Sequence, residues 1–114
     1  MKHEMKLKPS PFYAMKKGLK KIEMRLNDEK RKGIKIGDEI EFTNQETNEK
    51  ILTRVVNLTS FKDFCQLYSH FDKALLGYER DRSAHYTDMS QYYPEAEIEK
   101  YGTLAIEIEI KEIY

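Results

Sequence analysis

A chain of 114 residues with 39% hydrophobic residues is the size of one domain with a small core. It contains no apolar run of the roughly 20 residues that cross a bilayer, and its first residues lack the apolar run of a secretory signal. Its single cysteine excludes a disulfide framework and a thiolate metal site. We therefore expect one soluble cytoplasmic domain over residues 1–114. The net charge of zero conceals an asymmetry, because residues 15–35 carry nine cations against three carboxylates, a net +6, whereas residues 36–114 carry eight against sixteen, a net −8.

The first part of the chain predicts a strand, a short helix and a second strand. His3–Leu7 alternates loosely and is expected to form an edge strand. Ser10 is a suitable N-cap with Pro11 at the first helical position, and Gly18 suits the C-terminal end of the helix. The next strand, Lys21–Leu26, has period two, which predicts a charged face and an apolar face. The apolar face consists of Ile22, Met24 and Leu26.

Two strands and two loops are predicted in the middle of the chain. Asn27–Gly33 is a charged loop, and the Gly37-Asp38 turn leads into a strand at Glu39–Phe42. Thr43–Lys50 contains no large apolar residue and predicts a hairpin loop. Ile51–Leu58 follows and is rich in residues that favour strands.

The last part of the chain adopts a helical period and then returns to alternation. Ser60 is a suitable cap for a helix whose apolar stripe includes Cys65, and two short helices are predicted at Asp88–Tyr93 and Glu95–Lys100. In the last strand, Thr103–Ile113, the inward residues are Leu104, Ile106, Ile108 and Ile110. Five strand candidates with short helical insertions predict an α+β fold, a small mixed β-barrel of about five to six strands with short flanking helices.

The strongest polar constellation lies at the start of the second strand and consists of Lys20, Lys21, Glu23 and Arg25. A charged strand face of this kind is either a solvated surface or the floor of a polar pocket. Further cations on both sides favour a pocket for a phosphate-bearing ligand. These cations are Lys16, Lys17, Lys30, Arg31 and Lys32.

Tyrosines cluster in the C-terminal half of the chain, at positions Tyr78, Tyr86, Tyr92, Tyr93 and Tyr101. Aromatic faces hold unpaired bases in many nucleic-acid-binding proteins, and the alternative is that these rings cover a small core. The three histidines show no metal-ligand spacing, and the sequence contains no nucleophile elbow and no glycine-rich phosphate loop. We therefore expect neither a metal nor a cofactor.

Two motifs give the sequence a resemblance to a known family. Gly18-Leu-Lys20-Lys-Ile-Glu23-Met-Arg25 is followed by Lys35-Ile-Gly37-Asp38-Glu-Ile40-Glu-Phe42, and together they resemble the signature of the ASCH domain family. The segment Lys100-Tyr101-Gly102-Thr-Leu104-Ala-Ile106 is similar to the last strand of the family. The resemblance implies a PUA-like fold, a small mixed β-barrel with helices at its side, and RNA binding in a cleft beside the strand of Lys20, Glu23 and Arg25.

The resemblance also implies that some relatives are enzymes. One branch removes the acetyl group from N4-acetylcytidine with a lysine, a threonine three residues later and a distant glutamate. Here Lys20 matches the lysine, Glu23 occupies the threonine position, and Glu79 matches the distant acid loosely. Without the threonine hydroxyl, that nucleophilic mechanism does not carry over. Other members are reported as ribonucleases.

Three functions therefore remain open. In a module that binds RNA or a modified nucleoside, Lys20, Arg25 and the basic loop would hold phosphate, Tyr78 would stack on a base, and Glu23 would accept a hydrogen bond from an exocyclic amine. In a small hydrolase, Lys20 would act as base or nucleophile while Glu23 or Glu79 moves the proton. In a protein-interaction domain, the acidic C-terminal half would contact a partner. The sequence favours binding, with no membrane partner, and nothing in it demands a dimer.

Overall fold

The computed structural model describes residues 1–113. Within this range, five strands form one sheet, and the helices lie in the connections between them. The strands are β1 (Lys2–Leu7), β2 (Ile22–Leu26), β3 (Glu39–Asn44), β4 (Lys50–Phe61) and β5 (Thr103–Ile113). The helices are α1 (Pro9–Lys16), α2 (Glu29–Lys32), α3 (Phe64–His70), a 3₁₀ helix (Tyr86–Gln91) and α4 (Glu95–Tyr101).

The sheet has the strand order β1-β3-β4-β5-β2, in which β1 and β3 are parallel and the other pairs are antiparallel. Its two edge strands, β1 and β2, come close enough for a side-chain bridge, because Arg25 Nη2 donates to the Lys6 carbonyl oxygen at 2.9 Å. Two register irregularities between β4 and β5 supply the local bending that such curvature requires. The result is a five-stranded half-barrel with short flanking helices, which confirms the predicted α+β, PUA-like architecture.

Both faces of the sheet are covered, and this creates two hydrophobic clusters. One cluster joins α1 to the centre of the sheet around Phe12, Phe42 and Ile106. The other packs α3 and the 3₁₀ helix against β2 around Met24 and Leu67. Strand β2 packs its apolar residues against the second cluster, while Glu23 and Arg25 on its other face are buried and half-buried.

The predicted strands are confirmed, and the last strand has the predicted bounds. Ile22, Met24 and Leu26 are buried as expected, as are Leu104, Ile106 and Ile108. Ile110 is exposed instead of inward-facing, as are the other residues of the last strand after Ile108, next to a register irregularity with β4.

Several predicted helix boundaries are wrong for identifiable reasons. Helix α1 begins at Pro9, so Ser10 lies inside its first turn instead of capping it. Strand β4 continues through Phe61 because it pairs with β5, and Asp63 caps α3 in place of Ser60 by accepting from the Gln66 amide at 2.9 Å.

The later start of α3 changes which of its residues are buried, and the charged loop differs from its prediction separately. Phe64 and Leu67 provide the buried side of α3, whereas Cys65 is exposed, contrary to the predicted stripe. The predicted loop at Asn27–Gly33 contains α2, which Asp28 caps by accepting from the Arg31 amide at 3.3 Å.

Candidate functional site

A cleft of about 460 Å³ opens between β2, the junction of β1 with α1, and the segment that runs from Leu76 to the end of the 3₁₀ helix. The sequence-predicted residues Lys20, Glu23, Arg25 and Tyr78 all line it. A volume of this size is typical of small-molecule sites, in which a few polar groups fix the orientation of the ligand.

The floor of the cleft is a buried chain of three charges. Glu23 Oε1 lies 3.2 Å from Lys20 Nζ, and Arg25 Nε donates to Glu23 Oε2 at 2.6 Å. Lys20 and Glu23 are only 3% and 5% exposed, and Arg25 is half-buried. Glu23 pairs across the sheet with Ile106 of the core, which explains why alternation along β2 buries a carboxylate.

The loop Leu75–Gly77 closes over Lys20 and fixes its position. The amides of Lys21 and Ile22 both donate to the Leu75 carbonyl oxygen, at 2.9 and 3.0 Å. Lys20 Nζ itself donates to the Leu76 carbonyl oxygen at 3.3 Å. Gly77 has a φ of +105°, and a Cβ there would lie 3.3 Å from Lys20 Cδ, so the loop passes closer to the lysine stem than a side chain would easily permit.

The charge balance in the floor keeps Glu23 ionised. Burial raises the pKa of this carboxyl, but the attraction of Arg25 and Lys20 and their hydrogen bonds outweigh burial, so the pKa of Glu23 lies below its ordinary value. Glu23 Oε2 lies 2.6 Å from both Nε and Nη2 of Arg25, whereas Oε1 has Lys20 Nζ alone, at 3.2 Å, and retains a second lone pair. The floor therefore offers an acceptor flanked by two donor groups.

One wall of the cleft is a hydrogen-bonded chain of Tyr68, Tyr78 and Asp88. The two tyrosine hydroxyls are 2.8 Å apart, and Tyr78 donates to Asp88 Oδ2 at 2.6 Å. Burial, with the neighbouring acid, raises the pKa of Tyr68 to about 12 and also raises the pKa of Tyr78. Both hydroxyls therefore stay protonated at neutral pH, and the chain is a rigid hydrogen-bonded support.

The facing aromatic side chains have different environments. Tyr93 stacks on Phe64 with ring centroids 6.0 Å apart and an interplanar angle of 15°, so it belongs to the core. Tyr92 is 43% exposed, and Lys8 Nζ lies 5.0 Å from its ring centroid. Tyr92 thus offers an accessible aromatic surface at the cleft.

Comparison with known proteins gives the family. The profile described as "ASCH domain" matches residues 5–112. The chain belongs to the ASCH domain family. The crystal structure of the hypothetical protein PH0355 has 32% sequence identity to this chain and a TM-score of 0.82, and covers 97% of this chain and 100% of that one. The solution structure of protein PF0455 from Pyrococcus furiosus has 32% identity and a TM-score of 0.72, and covers 98% and 99%.

A more distant structure shares the fold of this ASCH domain. A variant of ZmASCH from Zymomonas mobilis has 13% identity and a TM-score of 0.66, and the match covers 96% of this chain and 68% of that chain. The search of curated proteins found no match. Among residues 1–113, no group of three or more histidine, cysteine or acidic residues is arranged to hold a metal ion, and no helix is both long and apolar enough to cross a membrane.

The remaining predicted residues of the ASCH domain lie outside the lining of the cleft. Lys16 pairs with Glu49 at 2.9 Å. Lys17 pairs with Glu79 at 3.2 Å, and the Glu79 side chain is 58% exposed. Lys21 is exposed beside the buried Lys20.

The three cations of the basic loop, Lys30, Arg31 and Lys32, differ in their ion-pair partners and in the surfaces they line. Arg31 pairs with Asp28 at 2.8 Å, and Lys32 pairs with Glu29 at 3.5 Å. Lys30 and Arg31 line a second groove, next to the cleft, whereas Lys32 does not.

Sequence reasoning missed Asp88, Tyr68, Lys6 and Lys8 as cleft residues. Tyr68 occupies a helical position at which an aromatic residue predicts core packing, and Asp88 follows a threonine that resembles a helix cap. No local pattern connects the two. The basic residues of β1 and the following turn are a weak signal, since the N-terminal segment is also net positive.

Proposed function

We propose that this ASCH domain binds one nucleoside unit, within RNA or as a free modified nucleoside, in the cleft above Lys20, Glu23 and Arg25. The observation that carries the proposal is the buried carboxylate of Glu23, held between two cations at the bottom of a cleft with tyrosine walls. Family membership supports it, since RNA binding is the activity that the ASCH resemblance implies.

The polar floor matches the edge of a nucleobase such as cytosine. An exocyclic amine can donate to the free lone pair of Glu23 Oε1, as acidic side chains accept from cytosine N4 elsewhere. Lys20 uses two of its three donors on Glu23 and Leu76, so one remains for a base carbonyl. Arg25 directs Nε and Nη2 at Glu23, Nη2 also at the Lys6 carbonyl, and hydrogen-bonds Tyr93, so one of its five donors remains for a ligand.

The walls suit the flat face of a base. Tyr92 is exposed at the cleft, while Tyr78 is fixed by Asp88 and Tyr68 and has the Arg82 guanidinium 5.7 Å from its ring centroid. Both rings have a cation near one face, since Lys8 Nζ lies 5.0 Å from the Tyr92 centroid, so exposure distinguishes them. The exposed Tyr92 ring is better placed for stacking than Tyr78, the ring expected from the sequence. Stacking of a base on such a ring contributes about 1–3 kcal/mol.

The ionisation of Glu23 favours recognition over hydrolysis. A general base works best when its pKa lies near the operating pH, and the pKa of Glu23 is lowered, not raised. Lys20 is in turn occupied by Glu23 and a carbonyl oxygen. Glu79, the other candidate acid, pairs with Lys17 on the exposed loop and does not line the cleft.

Calorimetric titration with cytidine, N4-acetylcytidine and adenosine tests the proposal. Tyr92→Ala should weaken nucleoside binding by about 5- to 150-fold, the loss expected for one stacking contact of about 1–3 kcal/mol. Glu79→Gln is the matched surface control and should leave affinity unchanged. Release of acetate from N4-acetylcytidine would make the domain a hydrolase instead, and absence of binding by every nucleoside and by short RNA would reject nucleoside recognition.

A further inference from the structure

A second concave surface of about 860 Å³ adjoins the cleft on the side of β1 and α2. We name it the β1 groove. Its cationic lining consists of Lys6, Arg25, Lys30, Arg31 and Lys50. Lys6 and Arg25 also line the cleft, so the two surfaces are continuous.

The cations of the β1 groove differ in how far they are neutralised. Arg31 pairs with Asp28, and Lys50 lies 3.3 Å from Glu41. The side chains of Lys6 and Lys30 are exposed and make no hydrogen bond or ion pair with any residue from 1 to 113. Two uncompensated ammonium groups therefore face solvent in a concave surface whose lining contains a single carboxylate within the described chain, that of Glu4.

Arg25 connects the cleft to the β1 groove through hydrogen bonds on both sides. Its guanidinium holds Glu23 on the cleft side and the carbonyl oxygen of Lys6 on the β1 side. A ligand seated on Glu23 therefore meets Arg25 and Lys6 as it leaves the cleft. Charged residues that only keep a surface hydrated need not line a concave groove, nor a groove that continues into a cleft, so these two features favour a binding surface.

We propose that the β1 groove holds the phosphodiester backbone of a single strand whose unpaired base occupies the cleft. The inference rests on the proposed function and specifies its substrate class: an oligonucleotide of several residues rather than a free nucleoside. Single-strand-binding proteins combine an aromatic platform with a cationic groove that follows the backbone, and here Tyr92 supplies the first and the Lys6–Lys30 side of the groove supplies the second.

The test is the salt dependence of binding to a short fluorescein-labelled single-stranded RNA, followed by fluorescence anisotropy. Because Lys6 and Lys30 have no carboxylate partner, the double variant Lys6→Gln/Lys30→Gln leaves no orphaned charge. Each phosphate contact contributes about 0.7 to the slope of log affinity against log salt concentration, so the slope should fall by about 1.4, and affinity near 0.1 M salt by about 25-fold. Lys62→Gln/Lys100→Gln, at two exposed positions outside both surfaces, should keep the wild-type slope.

The outcomes separate the two proposals. If the Lys6/Lys30 variant keeps its RNA slope, or if RNA binds no tighter than cytidine, the backbone site is wrong while the nucleoside site stands. If the slope falls as expected but Tyr92→Ala leaves RNA affinity unchanged, the groove binds a backbone and the base-binding cleft is wrong. If neither RNA nor cytidine binds, both are wrong. Displacement of RNA by poly-glutamate at equal charge concentration would assign the groove to acidic proteins and overturn the inference.

Discussion

Replacing Glu23 by glutamine should lower the free energy of unfolding by about 3 kcal/mol. The substitution keeps the size of the side chain and removes only its charge. Lys20, which is 3% exposed, then loses its counter-ion and retains the Leu76 carbonyl oxygen as its partner. Arg25 loses the same charge but is half-buried, so water compensates part of its loss.

The magnitude follows from two opposing contributions. At the 3.2 Å separation of Lys20 Nζ and Glu23 Oε1, the attraction is about 5 kcal/mol at an effective dielectric constant of about 20. The substitution also removes the cost of burying the carboxylate, which offsets part of that attraction. Measured losses on breaking buried pairs are about 3–5 kcal/mol, and the amide of glutamine can still accept one hydrogen bond, which places the expectation at the lower end.

Urea unfolding at neutral pH measures the change, with an unchanged m value showing that the same surface is exposed on unfolding. Glu79→Gln provides the control, because it removes a carboxylate from an exposed pair and should cost roughly 0.5 kcal/mol or less. A loss for Glu23→Gln no larger than that of the control would mean that water reaches the floor charges freely. The reasoning that treats the floor as a low-dielectric binding site would then be wrong.

Two further predictions concern the backbone and acid stability. Gly102→Ala should destabilise the fold by about 3 kcal/mol, because Gly102 has a φ of +71° and a Cβ there would lie 2.9 Å from the Phe61 carbonyl oxygen; a fall in Tm of less than about 5 °C would contradict this. Hydrogen bonds from His3 and other donors hold the pKa of Asp38 at about 2, below its value in the unfolded chain. The ionised Asp38 therefore contributes its full stabilisation above about pH 5, and this contribution is lost as the pH falls toward 2. Urea unfolding at neutral and acid pH should show a smaller acid loss in Asp38→Asn than in the wild type, and equal losses would refute the assignment.

The sheet was predictable because its strands carry their own signal. The alternation in Thr103–Ile113 and Ile22–Leu26 reflects the two-residue period of side chains on a pleated strand, and one face of each strand packs against a core. Gly102 ends the helix before the last strand at positive φ, a conformation that favours glycine. Helix starts were less predictable, since a capping residue such as Ser60 has no effect where strand pairing continues past it.

The floor of the candidate site was visible in the sequence, but its environment was not. Alternation predicts that Glu23 lies on the face opposite Met24. Nothing local reveals that residues 75–77 will close over its partner Lys20. The link from Tyr78 to Asp88 likewise depends on how the segment after α3 folds back on β2. Basic residues near the site were over-counted, because Lys16 and Lys17 pair with carboxylates that are distant in sequence.

The most direct test of the central claim, that the cleft binds a nucleoside, is a titration of the protein with cytidine followed in its backbone amide NMR spectrum. We predict that the shifts concentrate on the cleft segments around Arg25, Gly77 and Tyr92, and that in Tyr92→Ala they require a correspondingly higher cytidine concentration while the rest of its spectrum keeps the native pattern. Saturating shifts elsewhere on the molecule, with these segments unchanged, would contradict the claim.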